Sequence, residues 1–203
     1  MWNRQQNENM EIKACLFDLD GVIVDTAKYH YIAWREIATE LGFEFTEDHN
    51  ERLKGVSRTR SLEILLEVGG VTLDEPTKLK LAEKKNTNYL SFILKMKPDE
   101  ILPGSREFLQ ELRSSGIKTG LGSASKNAMT ILNRLEIASL FDVIIDGNKV
   151  TKAKPDPEIF LKGAEELHVE AKDCVVFEDA EAGIDAAIAA RMKCVGIGNI
   201  NAL

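Results

Sequence analysis

Three apolar runs of four or five residues each stop at a polar cluster, and this pattern limits the possible folds more than any other feature. Ala14-Cys15-Leu16-Phe17 ends at Asp18, the IKTGL stretch 117–121 at Gly122-Ser123-Ala124-Ser125, and Cys174-Val175-Val176-Phe177 at Glu178-Asp179. Continuous runs of this length suit parallel strands covered on both faces. FDVIID at 141–146 and KCVGIG at 193–198 are two further strand candidates. Helical patterns separate them. SREFLQELRSSG at 105–116 places Phe108, Leu109 and Leu112 on one face and ends at Gly116. KNAMTILNRLEI and PEIFLKGAEELH repeat that spacing, and AEAGIDAAIAAR reads as a small-residue helix able to pack closely on a sheet. Strand and helix alternating over 102–198 predict an α/β fold with a doubly wound, Rossmann-like parallel-sheet core.

Residues 26–98 break the alternation. Stretches such as YHYIAWREIATELG and LKLAEKKNTNYLSFILKM are charged and helical, with no convincing strand. A helical cap domain inserted after the first strand accounts for them, leaving 1–25 and 99–203 as the core. Hinges are expected near Asp25-Thr26 and from Lys97-Pro98 to Pro103-Gly104. At 203 residues the chain can bury a sizeable core in one or two domains. The opening MWNRQQNENM is polar and lacks the apolar centre of a secretory signal. Met10 can serve as a start preceded by an extension, and residues 1–10 are expected to be mobile.

A net charge of −7 argues against a nucleic-acid partner, although a basic pocket inside an acidic protein can still hold an anion. No run reaches the roughly 18 apolar residues that would span a membrane. Cys15, Cys174 and Cys194 adjoin apolar residues and form no C-x-x-C pair, so they read as buried reduced thiols in a cytoplasmic protein. A monomer is expected.

In doubly wound sheets ligands bind at the carboxyl ends of the strands. Asp18, Asp20, Ser123, Glu178 and Asp179 all fall at such ends, so distant parts of the chain converge on one crevice. Asp18 and Asp20 are two apart and would turn to the same side of an extended chain, with Gly21 allowing a sharp bend after them. Alone, D-x-D-G also suits an ordinary turn, and Asp179 an ordinary helix cap. Four carboxylates at one sheet edge would repel one another and raise their own pKa values. A divalent cation resolves that conflict, and Mg²⁺ takes such hard oxygen ligands. Lys154, in TKAKPDPEIF, can neutralise carboxylates and a bound phosphate, or can be a solvated lysine before a helix. Ser123 and the backbone N–H groups of SASKN can hold phosphate oxygens at the next helix start.

Taken in order, FDLDGV, GSAS, KAKPDP and FEDAEAGI resemble the four motifs of the haloacid dehalogenase superfamily of phosphotransferases, and they span nearly the whole chain. The site of the insertion resembles that family's small helical cap class. DTAKYHYIAW, LKGVSR, KKNTNY and SASKN are similar to its phosphosugar mutases. The resemblance implies a Mg²⁺-dependent isomerase that interconverts β-glucose 1-phosphate and β-glucose 6-phosphate through an aspartyl phosphate and a bisphosphate intermediate. It implies Asp18 as nucleophile and Asp20 as general acid and base, with Mg²⁺ on the Asp18, Glu178 and Asp179 carboxylates and the Asp20 carbonyl. Ser123, Ala124 and Lys154 would bind the transferring phosphoryl group. Arg58 would grip the other phosphate, assisted by Ser125 and Asn127. Thr26, His30, Trp34, Lys54, Gly55, Val56, Ser57, Ser61 and Lys85 match cap positions that face the sugar phosphate or close over it, with packing the main role expected of Trp34.

A sugar-phosphate phosphatase using water as acceptor shares the same core motifs, and a non-catalytic phosphosugar-binding protein is a third reading. His49 and His168 sit among polar residues and are expected at the surface. Members of the family generally continue past the GIG strand, whereas this sequence stops at GIGNINAL. A missing terminal strand and helix would expose a sheet edge and lose buried area.

Overall fold

The computed structural model describes residues 11–198. Five parallel strands, β1 (Ala14–Phe17), β2 (Lys118–Gly122), β3 (Val143–Ile145), β4 (Cys174–Glu178) and β5 (Lys193–Gly196), form one sheet in the order β3-β2-β1-β4-β5. Every expected strand is present, with β2 displaced one residue toward the C-terminus and β3 shorter than its apolar run. Phe17 lies level with Leu121 on one side and Phe177 on the other. Asp18, Gly122 and Glu178 are therefore the next residues at one sheet edge, beside the point where the strand order reverses.

The two faces follow from side-chain alternation along β1. Cys15 and Phe17 face α5 (Ser105–Ser114) and α6 (Ala128–Arg134), packing with Leu109, Leu112, Ile131 and Leu132. Ala14 and Leu16 face α7 (Glu158–Leu167) and α8 (Glu181–Ala189), packing with Phe160, Ala164, Leu167, Ala186 and Ala187. Leu16, Leu109 and Phe160 are fully buried, each contributing about 1.5–3 kcal/mol.

Between β1 and β2 lie α1 (Ala27–Glu40), α2 (Glu47–Glu51), α3 (Arg58–Gly69) and α4 (Glu75–Ile93). They share an apolar cluster of their own, which includes Trp34, Ile37, Phe45, Leu62, Leu65 and Leu81. The chain marks their ends with local chemistry. Ser57 accepts from the N–H of Arg60 at the start of α3, and Asp74 accepts from the N–H of Thr77 at the start of α4. His49 departs from the surface expectation: it is half-buried in the first turn of α2, where its Nδ1 accepts from the N–H of Thr46 at 3.2 Å. Thr46 Oγ1 in turn accepts from the N–H of His49, a reciprocal cap in which histidine takes the place usual for glutamate. His168 is exposed at the end of α7.

The segments leading into and out of these helices run side by side. Val24 and Ile101 form an antiparallel bridge, and the N–H of Leu102 donates to the carbonyl of Ile23 at 2.9 Å. At the far edge of the sheet, β5 pairs with β4 alone among the described residues, and Val195 is exposed. The expected mobile segment 1–10 and the last five residues lie outside the described residues.

Candidate active site

The floor of the crevice is built where β1 and β4 end. Asp18 and Glu178 are buried, and Lys154, equally buried, donates from Nζ to Asp18 Oδ1 and Glu178 Oε1 at 2.5 Å each. The other oxygen of Glu178 accepts the N–H groups of Asp179 and Ala180 at 2.8 and 2.9 Å, which fixes the carboxylate from both sides. Oxygens of Asp18, Glu178 and Asp179 all lie within 4.8 Å of one another. Two glycines make room for them. A Cβ on Gly183 would fall 1.7 Å from Glu178 Oε1, and one on Gly21 2.1 Å from Asp179 Oδ2. Gly21 also has φ +76, a backbone shape that side chains disfavour. Lys154 precedes a cis proline, Pro155.

One lysine cannot neutralise three carboxylates. Burial, and then the negative charges of Glu178 and Asp20 against the opposing pull of Lys154, push the Asp18 carboxyl well above its usual range. Burial and Glu178 push Asp179 up to about 6. Lys154 keeps its proton, because the two carboxylates outweigh the penalty of its burial. A floor of hard oxygen donors with negative charge to spare fits a small divalent cation, and the donor set holds no sulfur or imidazole that would favour a softer metal.

Asp20 turns away from this cluster. The Thr26 hydroxyl donates to Asp20 Oδ1, and the Tyr89 hydroxyl donates to Thr26 Oγ1 at 3.1 Å. Burial raises the Asp20 carboxyl to about 6 even though the Thr26 bond opposes it. Two neighbouring aspartates are thus set apart: one is pinned by lysine, the other is tied to the connector leading into α1.

Above them stands a wall formed by α1, α3 and α4. Lys85 is buried, contacts His30 Nδ1 through Nζ at 2.8 Å, and lies 4.9 and 4.6 Å from the ring centres of Trp34 and Tyr89. Burial and the charge of Arg58 lower Lys85 to about 7. Burial, Lys85 and Arg58 likewise hold His30 well below its ordinary range, so it is neutral. When Lys85 is protonated, His30 Nδ1 accepts and its own proton sits on Nε2. Arg58 is half-buried in the first turn of α3. Trp34 is 1% exposed and belongs to the helical core, beneath Lys85.

The remaining candidates divide between the crevice and its frame. Lys54 is half-buried and paired with Glu51 at 2.8 Å. Gly55, with φ +70, lets its loop press on the core: a Cβ there would lie 3.1 Å from that of Ala180. Val56 packs on the helical cluster, Ser57 caps α3, and Ser61 is buried one turn later. In the loop after β2, Ser123 is buried and its Oγ accepts the N–H of Ser125, whose Oγ accepts the N–H of Asn127. These hydroxyls therefore brace the loop and retain their own protons for donation. Ala124 is half-buried between them. Asn127 Nδ2 donates to Asn86 Oδ1 at 2.9 Å.

Tyr89 and Asn86 were not singled out by the sequence. Both stand in KKNTNY, and Tyr89 lies four residues after Lys85, the spacing that places two side chains on one helical face. That spacing was the available clue.

The fold and site together define a doubly wound α/β protein with an oxygen-rich crevice at its strand ends, suited to a cation and a phosphate. The family model for haloacid dehalogenase-like hydrolases matches residues 12–191, and the chain belongs to that family. It is 47% identical to β-phosphoglucomutase of Bacillus subtilis (strain 168), over 92% of this chain and 84% of the relative. It is 35% identical to a phosphorylated carbohydrates phosphatase of Thermotoga maritima, over 90% of this chain and 83% of that one. A crystal structure of β-phosphoglucomutase from Clostridium difficile superposes with a TM-score of 0.90 at 47% identity, covering 94% of this chain and 86% of the other.

Proposed function

We propose that the protein interconverts β-glucose 1-phosphate and β-glucose 6-phosphate, with Asp18 carrying the phosphoryl group between them. The observation that carries this reading is the second charged region. A phosphatase needs the floor, whereas here a half-buried Arg58 stands on the facing wall, beside Lys85 and His30. A guanidinium there can hold a second phosphate by two parallel hydrogen bonds. The identity to the Bacillus enzyme supports the same assignment.

In the first half-reaction an Asp18 oxygen of the phosphorylated enzyme gives its phosphoryl group to the C6 hydroxyl of glucose 1-phosphate. The O–P bond to Asp18 breaks, one forms to the sugar, and Asp20 takes the hydroxyl proton. In the second, the bisphosphate presents its C1 phosphate. Asp18 forms the new bond to phosphorus while Asp20 returns its proton to the departing C1 oxygen, which leaves glucose 6-phosphate and phosphorylated Asp18. Dividing the transfer in two lowers each barrier. An Asp20 carboxyl near 6 holds or releases a proton around neutral pH. Lys154 and Ser123 hold the equatorial oxygens in place, where positioning and charge do most of the work. The Asp18, Glu178 and Asp179 carboxylates and the Asp20 carbonyl would hold Mg²⁺, which would further neutralise phosphoryl charge.

Residues 26–98 act in this reading as a cap that closes over the core about the paired connectors at 20–24 and 97–102. Closure keeps water from phosphorylated Asp18. The substrate is a small phosphorylated sugar taken up by a monomer in the cytoplasm, and no helix among the described residues is long and apolar enough to cross a membrane. The similarity to the Thermotoga phosphatase supports a second reading, hydrolysis of a sugar phosphate on the same aspartate. An assay that separates isomer from inorganic phosphate, run with Mg²⁺ and a bisphosphate primer, distinguishes the two. Glucose 6-phosphate as the main product is expected; phosphate release without isomer would reject the mutase.

A further inference from the structure

Besides Ala33, Tyr89 and Ile93, which pack with the core helices, the helical layer approaches the core at two further places that differ in kind. At one, the Gly55 loop comes so near Ala180 that a Cβ on Gly55 would lie 3.1 Å from that of Ala180. At the other, Asn86 of α4 accepts from Nδ2 of Asn127, 41 residues away, at the loop before α6. Asn86 directly follows Lys85, and both asparagines are half-buried. An asparagine side chain carries two N–H donors and one acceptor. The bond to Asn86 uses one donor, so Asn127 keeps a second N–H and its carbonyl for a ligand in the crevice. The same contact thus ties α4 to the start of α6 and fixes the rotamer of a side chain assigned to the distal phosphate.

We infer that Asn86 is a positioning residue: by holding Asn127 it latches the helical layer over phosphorylated Asp18 and directs the phosphoryl group to a sugar hydroxyl in preference to water. This rests on the mutase reading above. Because water competes for both groups when the seam opens, the latch is weak enough to release in every turnover. Its loss shifts the balance between open and closed forms by about two- to tenfold, the worth of one net hydrogen bond.

The test compares wild type, Asn86→Ala and Asn86→Asp in the assay that separates isomer from inorganic phosphate, using β-glucose 1-phosphate, Mg²⁺ and a bisphosphate primer. Alanine is the better helix former at a mid-helix site, so Asn86→Ala is expected to fold, and Asn86→Leu is a second variant lacking the acceptor. The acceptor-free variants should raise phosphate released per isomer formed by about two- to tenfold. Asn86→Asp keeps an acceptor for Asn127 and should return the ratio toward that of wild type. A purely structural residue would lower the melting temperature without moving this ratio. An unchanged ratio in the acceptor-free variants, or an Asn86→Asp protein that leaks phosphate as they do, overturns the latch. Wild-type protein that releases phosphate and forms no isomer rejects the mutase reading instead, and the latch with it.

Discussion

On the floor of the crevice two of three clustered carboxylates pair with one lysine, whereas the wall above it gathers Arg58, Lys85 and a neutral His30. Burial, and then the repulsion between its carboxylates, raises the carboxyl pKa values of the floor; burial, and then the charge of Arg58, lowers the amine of the wall. Neither layer is at ease alone. A cation relieves the floor and an anion relieves the wall, and a metal-bound phosphate ester with a second phosphate group supplies both at once. In the proposed reading, opposite charges separated onto two layers of the fold prepare one crevice for a doubly charged ligand.

The largest effect should come from the floor. Asp18→Asn keeps the shape and the crevice but removes the nucleophile, so turnover should fall by about 10⁴-fold or more. Calorimetric titration should still detect sugar bisphosphate binding, because the wall is untouched. Loss of binding along with activity would show that the two layers do not act separately. The wall is probed next. Arg58→Ala should weaken bisphosphate binding by about 10- to 100-fold, the range for a lost charged hydrogen bond, while Mg²⁺ affinity holds steady. Unaltered bisphosphate affinity would remove Arg58 from the distal phosphate site.

The subtlest contrast lies in the pH dependence of stability. Asp20 and Asp179 rise from 3.8 to about 6 on folding, so their contribution is complete below pH 3.8 and drains away as pH climbs through 6. Lys85 moves the other way, from 10.5 to about 7; its contribution is present above 10.5 and is lost as pH falls through 7. His30, held neutral by burial, favours the fold above its ordinary range and opposes the acid-side decline, so the clear expectation is that urea midpoints measured without metal recover from about pH 7 to 10. Lys85→Met should abolish the alkaline recovery. If the recovery persists in that variant, Lys85 is not its source.

The floor was legible from the residues themselves, whereas the wall was reached only through the family resemblance, for physical reasons. Strands buried on both faces must be continuously apolar, so Asp18 and Glu178 stood out where those runs stopped. The register of a parallel sheet then brings the strand ends together whatever their separation in sequence. Helices leave no such mark. By spacing alone Lys85 reads as one more charged residue in LKLAEKKNTNYL; the resemblance singled it out, and packing shows it buried against Trp34 and Tyr89. The chain from Tyr89 through Thr26 to Asp20 links three parts of the sequence by hydroxyl groups alone, and no local pattern announces it. His49 was misplaced at the surface because a histidine closing a helix cap looks, letter by letter, like any polar residue in a loop.

The glycines beside the carboxylates bear on how far such a crevice can be altered. A methyl group at position 183 would occupy the space of a Glu178 oxygen, and one at 21 that of an Asp179 oxygen. A redesign that preserved every acidic and basic side chain, but treated these two positions as free, would evict the very atoms it meant to keep. In this chain, emptiness at two Cα atoms is as much an inherited constraint as the charges it shelters.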